Sequence, residues 1–571
     1  MAEILLSPGV LSREIDTSFI AEQPPIIGAA IVGPTVKGPV GIPVTVTSYT
    51  DFANYFGETE VIAGTGSFSY FTSIAAYNYF QNGGQTLLVT RVASGSYTSA
   101  TANVTSSNGV AFTLETISQG AMMNTGNGGA NLSLTSGSLN NIRFQIVAPN
   151  TQSGTFNLYI RRGDDDSRNP AILETYTGLS MDPLDENYVA RRIGDYKFTQ
   201  QNIDGEDTLQ ITGTYPNKSR YIRVGSVNLP TPQYIVGGIP NPAYTGSIPT
   251  VTGQGVHNIT GSFGGATGQL VAGAKFYDQI TDTNIQGVNA TNYTASFNLL
   301  KSANDYQFNI LVAPGLNHNQ HGTILDTVIS NTEERGDNVF VLEMGSYSQT
   351  ATEQIQEATE VDSSYAASYY PWVQMLDPAT RQYVFVPPSA LIPGVFAFND
   401  RVAEPWFAPA GINRGGLGNV IRAASKLSQT TRDNLYQGKI NPIATFPGQG
   451  VVVYGQKTLQ TKASALDRLN VRRLLIALKG TIGQIANGLV FQQNNAATRN
   501  SFLAQVNPYL ESVQQRQGLY AFKVVMDDAL NNPTVIDRNE LVGQIYLQPT
   551  KTAEFIYLNF NITPTGASFP A

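Results

Sequence analysis

Hydrophobic and polar positions alternate with two different periods along this chain, and the change of period divides it into regions. Residues 10–17 alternate, with Leu11, Arg13 and Ile15 on one face and Val10, Ser12 and Glu14 on the other. Period two predicts a short strand, and Pro8-Gly9 just before it breaks any helix. No neighbouring stretch offers a hairpin partner, so residues 1–20 read as an arm whose strand pairs elsewhere. An apolar run at 26–32 ends in Gly33-Pro34. A short strand at 44–46, helices from Thr50 and over 73–80, and a buried strand at 87–89 follow. The pattern predicts a β-α-β unit again at 308–342, with strands at 308–312 and 339–342 around a helix at 323–330.

Between these two α/β stretches the chain is rich in Ser, Thr, Asn and Gly. Its short alternating segments, such as 143–147 and 156–160, predict antiparallel β-sandwich modules with long loops. Residues 245–270 are nearly low in complexity and read as a loop. The simplest organisation is one α/β domain, 21–94 and 296–400, split by a β-rich insertion at 95–295. A final α/β domain, 401–571, has helices at 463–490 and 498–515 and strands at 519–526, 541–547 and 554–563. The expected fold class is therefore α+β and multidomain: two mixed α/β core domains, one of them split, plus β-sandwich-like inserted domains.

The last segment has the sharpest strand pattern. Ile556, Leu558, Phe560 and Ile562 share one face, and Phe555, Tyr557, Asn559 and Asn561 the other. It fits an ordinary strand of its own domain and equally a strand that templates a neighbour's arm.

Composition changes the picture in three ways. The 571 residues are 41% hydrophobic, but only 13% are charged, about half the usual share. With 28 Tyr, 26 Phe and 54 Gly, this describes a β-rich surface largely covered by neighbours. There is no cysteine, which excludes disulfides, thiol nucleophiles and thiolate metal sites. No secretory signal and no membrane-length apolar stretch are found, so assembly in a cytoplasm is expected, without membrane insertion. Finally, charge is uneven: residues 401–571 carry 17 Lys+Arg against 9 Asp+Glu, a net of +8 within a chain of −8, which leaves −16 for residues 1–400. The basic excess runs along the long helix, where Arg468, Arg472 and Lys479 fall in a band beside the apolar stripe and Arg473 lies near them. A solvated cationic face accounts for it, and so does an acidic polymeric partner. The aromatic interleaving of a single-strand binder is poor, so nucleic acid is not expected.

Catalytic and cofactor signatures are weak. His318-x-x-His321 has ligand-like spacing but follows a Pro-Gly turn and reads as loop. Gly33 to Gly38 has phosphate-loop glycine spacing, but Pro39 stands where the lysine is needed. Asp164-Asp165-Asp166 lacks the ordered calcium ligands of an EF-hand and reads as a solvated turn. No G-x-S-x-G elbow occurs. No enzyme, cofactor or metal is expected. A carbohydrate-active enzyme would need an acidic cleft, and a β-rich virion surface or adhesion protein remains the alternative.

Several stretches, in order, resemble the tail sheath protein family of contractile phages: Ser7-Pro8-Gly9-Val10 with Glu14, residues 28–39 with 52–57, residues 174–189, Tyr369-Tyr370-Pro371-Trp372, Val386-Pro387-Pro388-Ser389, Ala408-Pro409-Ala410-Gly411, residues 448–459, 466–474 and 491–498. The resemblance implies a structural subunit of the virion that stacks in rings, sixfold in the family, around a tail tube protein, between a baseplate and a tail terminator. It implies that the C-terminal domain lies innermost, with Arg468, Arg472, Arg473 and Lys479 facing the tube. It also implies that terminal strands, here Val10, Leu11, Arg13 and Ile15 with Ile556, Leu558, Phe560 and Ile562, link subunits. Contraction would drive the tube through a host envelope.

Overall fold

A computed structural model describes residues 28–62, 66–126, 133–166, 168–203, 205–250, 260–269 and 277–557. The arm positions Val10, Leu11, Arg13 and Ile15, the positions Leu558, Phe560 and Ile562, and residues 251–259 and 270 of the 245–270 loop lie outside these residues.

An eight-stranded sheet is the centre of the molecule. Its strands are β1 (Ala29–Gly33), β2 (Val44–Val46), β3 (Leu87–Arg91), β4 (Ile310–Asn317), β5 (Val339–Glu343), β6 (Ala366–Tyr370), β7 (Ile440–Phe446) and β8 (Gly450–Val453), in spatial order β2-β3-β1-β4-β5-β6-β7-β8. The six inner strands are parallel, with β2 and β8 antiparallel at the two edges. All five residues of β1, β3, β5 and β6 are buried, as in a sheet covered on both faces. Helices α1 (Tyr49–Phe56), α2 (Phe71–Gln81), α3 (His318–Arg335) and α4 (Ile392–Val402) belong to this layer. Ser48 caps α1 by accepting from Asp51 N, and Asn317 caps α3 by accepting from Gln320 N.

Register joins the two halves of the sequence directly: Ile31 pairs with Val89 on one side and Val312 on the other. The sheet also reaches further along the chain than the pattern suggested. β7 and β8, which the reading placed in the domain 401–571, extend this sheet instead: β7 pairs with β6 through Ser368↔Ile440, and β8 pairs with β7. The residues past 400 thus split between the core and a separate unit.

The intervening region is a sandwich. A three-stranded antiparallel sheet (Ser99–Ser106, Gly109–Gln119, Ile222–Val227) faces a four-stranded one (Ile142–Asn150, Thr155–Arg162, Ile172–Ser180, Thr260–Gly261). Inward residues of both sheets make one apolar core, with Phe112 and Phe156 stacked at 5.8 Å between centroids. Its junction with the main sheet is held by Arg91, which is 1% exposed and donates Nη1 to Gly38 O (2.6 Å) and Gln119 O (2.8 Å).

Two expectations about polar motifs are corrected here. Asp165 is not in a solvated turn: its carboxylate accepts from Arg143 Nη1 (3.2 Å) and Arg161 Nε (2.6 Å), with all three side chains at most 3% exposed. Arg143 and Arg161 sit opposite each other on adjacent strands, and the buried carboxylate separates their like charges. His318 and His321 are not in a loop; they form the first turn of α3. His318 bridges Glu357 (2.6 Å) and Asp326 (3.1 Å), and His321 bonds backbone carbonyls of Asn317 and Thr281.

Candidate functional site

The C-terminal unit is built from two helices against a two-stranded sheet. Helix α6 (Leu469–Asn487) and helix α7 (Ala496–Gln515) supply Leu474, Leu478, Phe502, Val506, Leu510 and Val513 to a core that is closed by Trp406 and Leu519. The i, i+4, i+8, i+11 spacing along α7 puts its four apolar residues on one face. Each such side chain taken from water contributes about 1.5–3 kcal/mol. Strands β9 (Leu519–Val525) and β10 (Gln544–Pro549) lie on this core with Phe522, Val524, Ile545 and Leu547 turned inward, while Tyr520 (62% exposed) and Tyr546 (56%) face out.

This ribbon stops at two strands. β9 and β10 pair only with each other among the described residues, so both outer edges present unpaired backbone donors and acceptors. A two-stranded sheet is marginal by itself, and the helical layer beneath it supplies the apolar backing that an added strand would share.

Directly after β10 the chain runs along a cleft of about 980 Å³ lined by Trp406, Phe407, Tyr436, Phe446, Tyr454 and Glu554. The segment 551–557 has no strand. The strand expected over 554–563 is therefore not formed in its described part: strand hydrogen bonds need a partner, and among the described residues no strand pairs with 554–557. Ile556, placed on the buried face of that strand, is 75% exposed here, beside Phe555 at 67% and Tyr557 at 87%.

The basic band on α6 is not an exposed face. Arg472 and Arg473 are each 5% exposed. Arg472 lies 3.9 Å over the Tyr365 ring and donates to Ser364 Oγ; Arg473 lies 4.7 Å over Phe396 and pairs with Asp400 at 2.5 Å. Tyr365, Phe396 and Asp400 all belong to the core region, so these guanidiniums join the two units. Burial holds the Arg472 guanidinium below its ordinary proton affinity. Arg468 ends the loop before α6 and is bound to Glu554 Oε1 (2.8 Å) and Asp467 (3.0 Å). Only Lys479, of the four predicted positions, is exposed, with Nζ 3.3 Å from Tyr365 Oη. A helical wheel gives angles between side chains but not which angles a second domain covers, so the band read as one face.

The glycine spacing at 33–38 makes no ligand cradle. A Cβ at Gly38 would meet Phe56 at 2.7 Å, the Gly38 carbonyl is taken by Arg91, and Lys37 is 7% exposed with its ammonium pushed down to about 8 by burial. No helix among the described residues is long and apolar enough to cross a membrane.

Comparison with known proteins places these units. Residues 286–459 match the phage tail sheath protein central domain, and residues 461–563 match the phage tail sheath C-terminal domain. The tail sheath protein of Vibrio phage KVP40 is 43% identical over 209 residues, 37% of this chain and 31% of that protein. That of Enterobacteria phage T4 is 45% identical over 185 residues, 32% of this chain and 28% of that one. The chain thus matches about a third of the length of these relatives. The sheath tail protein Lin1278 from Listeria innocua shares the fold, with a TM-score of 0.52 at 11% identity, over 92% of this chain and 96% of that chain.

Proposed function

Because this chain belongs to the phage tail sheath protein family, we propose that it is the repeating subunit of a contractile tail sheath, a structural component of the virion and not an enzyme. Copies of the chain stack as rings, sixfold by family expectation, around a tail tube protein between baseplate and terminator, and shorten to drive the tube through the host envelope. Assembly takes place in the host cytoplasm, without nucleic acid or membrane insertion. The observation that supports this reading is the β9–β10 ribbon: two strands with both edges open among the described residues, backed by an apolar helical layer, and followed by an exposed apolar segment, 555–557. Backbone hydrogen bonds from strands of other copies complete such a ribbon, which is association by strand addition. The arm with Val10, Leu11, Arg13 and Ile15 and the segment with Ile556, Leu558, Phe560 and Ile562 are the proposed strands. An interface that repeats head to tail in this way does not close on itself between two copies and propagates as rings or helices.

The test is negative-stain microscopy of the full chain beside a version lacking residues 1–16. Tubes from the full chain and small particles from the truncation are expected. A full chain that stays monomeric even with tail tube protein supplied refutes the sheath reading and brings forward the β-rich adhesion alternative.

A further inference from the structure

Glu554 is the last charged residue of the chain. Its carboxylate accepts from three donors on three separate elements. Oε2 takes the hydroxyl of Tyr436 at 2.6 Å, from helix α5 (Gln429–Gln437). Oε1 takes Arg468 Nε at 2.8 Å, from the residue that precedes α6, and Gln456 Nε2 at 3.0 Å, from the turn after β8. Gln456, 3% exposed, also reaches Thr552 Oγ1 at 2.6 Å, so two residues of the same segment are held from one amide. The platform is itself built: Arg468 and Lys457 lie over the Tyr436 ring at 5.9 and 4.4 Å, and Leu469 N donates to Gln456 O at 2.8 Å. One residue further on, the anchoring stops. Phe555, Ile556 and Tyr557 are each at least two-thirds exposed.

We infer that Glu554 is a positioning residue, the fixed point from which the segment beginning at Phe555 leaves the subunit in a set direction toward its neighbour. The inference rests on the reading that this segment links subunits. A strand joined to its body by a free tether samples many directions, and each must be given up on docking. A carboxylate held by charge-assisted hydrogen bonds at three corners removes most of that freedom before docking. Burial works against the carboxylate's charge, but the hydrogen bonds from Tyr436, Arg468 and Gln456 outweigh it, and its proton affinity is held below the ordinary range. The clamp therefore stays ionised at neutral pH.

Two readouts on Glu554→Gln test this. In the monomer, trypsin cleavage after Lys551 reports whether 552–554 is held; it is expected to rise about tenfold, the loss of one charge-assisted contact. In assembly, the critical concentration for tube formation is expected to rise about tenfold while the melting temperature of the monomer is unchanged. Arg468→Gln should do the same, and the double variant should be no worse than either single one. Tyr436→Phe, which deletes one hydroxyl and keeps the ring, decides the matter should Glu554→Gln lower the melting temperature. Unchanged cleavage overturns the clamp, and raised cleavage with an unchanged critical concentration overturns its role in assembly. A wild-type chain that never forms tubes but shows the cleavage effect overturns the sheath reading and leaves the clamp standing.

Discussion

Glu343 ends β5 in the middle of the parallel sheet, 3% exposed, and its carboxylate accepts from Ser389 N at 2.5 Å. Among the described residues it forms no ion pair. Burial pushes this carboxyl up from its ordinary 4.5 to about 7, with Ser389 opposing part of the rise. The sign of the consequence follows from linkage. Below pH 4.5 both folded and unfolded chains hold the proton, and the buried neutral acid costs nothing extra. Between pH 4.5 and 7 the unfolded chain releases it while the folded chain keeps it, so stability falls as pH rises. Above about pH 7 both are ionised and the full cost of an unpaired buried charge remains. At 1.36 kcal/mol per decade of proton affinity, that cost is about 3 kcal/mol.

Glu343→Gln keeps the shape and the acceptor for Ser389 N and removes the titration. The expected result is a variant that gains about 3 kcal/mol over wild type between pH 4.5 and pH 8, whatever its offset at pH 4.5. Urea unfolding at low protein concentration measures it. The chain has two tryptophans, and in a Trp406→Phe background the fluorescence comes from Trp372. Trp372 donates Nε1 to Gly345 O two residues from Glu343 and so reports on the right region. A stability difference that is flat in pH, or that shrinks as pH rises, refutes the argument that desolvation dominates at Glu343.

The inserted sandwich and the basic band on α6 can each be tested by substitution. Asp165→Asn removes the buried carboxylate between Arg143 and Arg161 and should destabilise the inserted sandwich by about 3–5 kcal/mol, seen as faster amide exchange over 142–162 with the main sheet unaffected. Lys479→Glu should leave the fold within about 0.5 kcal/mol of wild type and weaken co-sedimentation with tail tube protein, whereas Arg472→Glu places a carboxylate against Tyr365 and should abolish soluble monomer. Unchanged co-sedimentation of the Lys479 variant removes that residue from the proposed tube contact.

What the sequence showed and what it hid divide along the range of the interactions. Local periodicity was enough to find β1, β3, β4 and β5 and the helices between them, since all-buried parallel strands read as apolar runs. It was also enough for the apolar face of α6 and for the existence of α7. The pairing of Ser368 with Ile440 joins strands 72 positions apart, with helices α4 and α5 between them, and no period announces that; hence residues past 400 were read as one domain. The aspartate run looked solvated because nothing in three adjacent carboxylates reveals an arginine pair waiting on neighbouring strands. Arg143 and Arg161 keep the polar phase of their two strands and so give no local signal; only the pairing of the hairpin sets them opposite each other.

The same physics explains why the net charge of the last 171 residues misled about their surface. Guanidiniums are spent where one unit meets the next. Arg91 sits between the main sheet and the sandwich with its charge over Tyr97, Arg472 and Arg473 tie α6 to Tyr365 and Phe396, and Arg516 lies over Trp406 and pairs with Glu404. Each of these places a planar cation on an aromatic ring and directs its donors at carbonyls, hydroxyls or carboxylates in a fixed fork, which resists sliding better than an apolar seam does. Seams fastened this way suit the proposed sheath subunit to move as one body when its neighbours rearrange. Loosening a seam, as by Arg473→Ala, should then cost assembly order through the subunit's own shape, seen as irregular tubes in negative-stain microscopy.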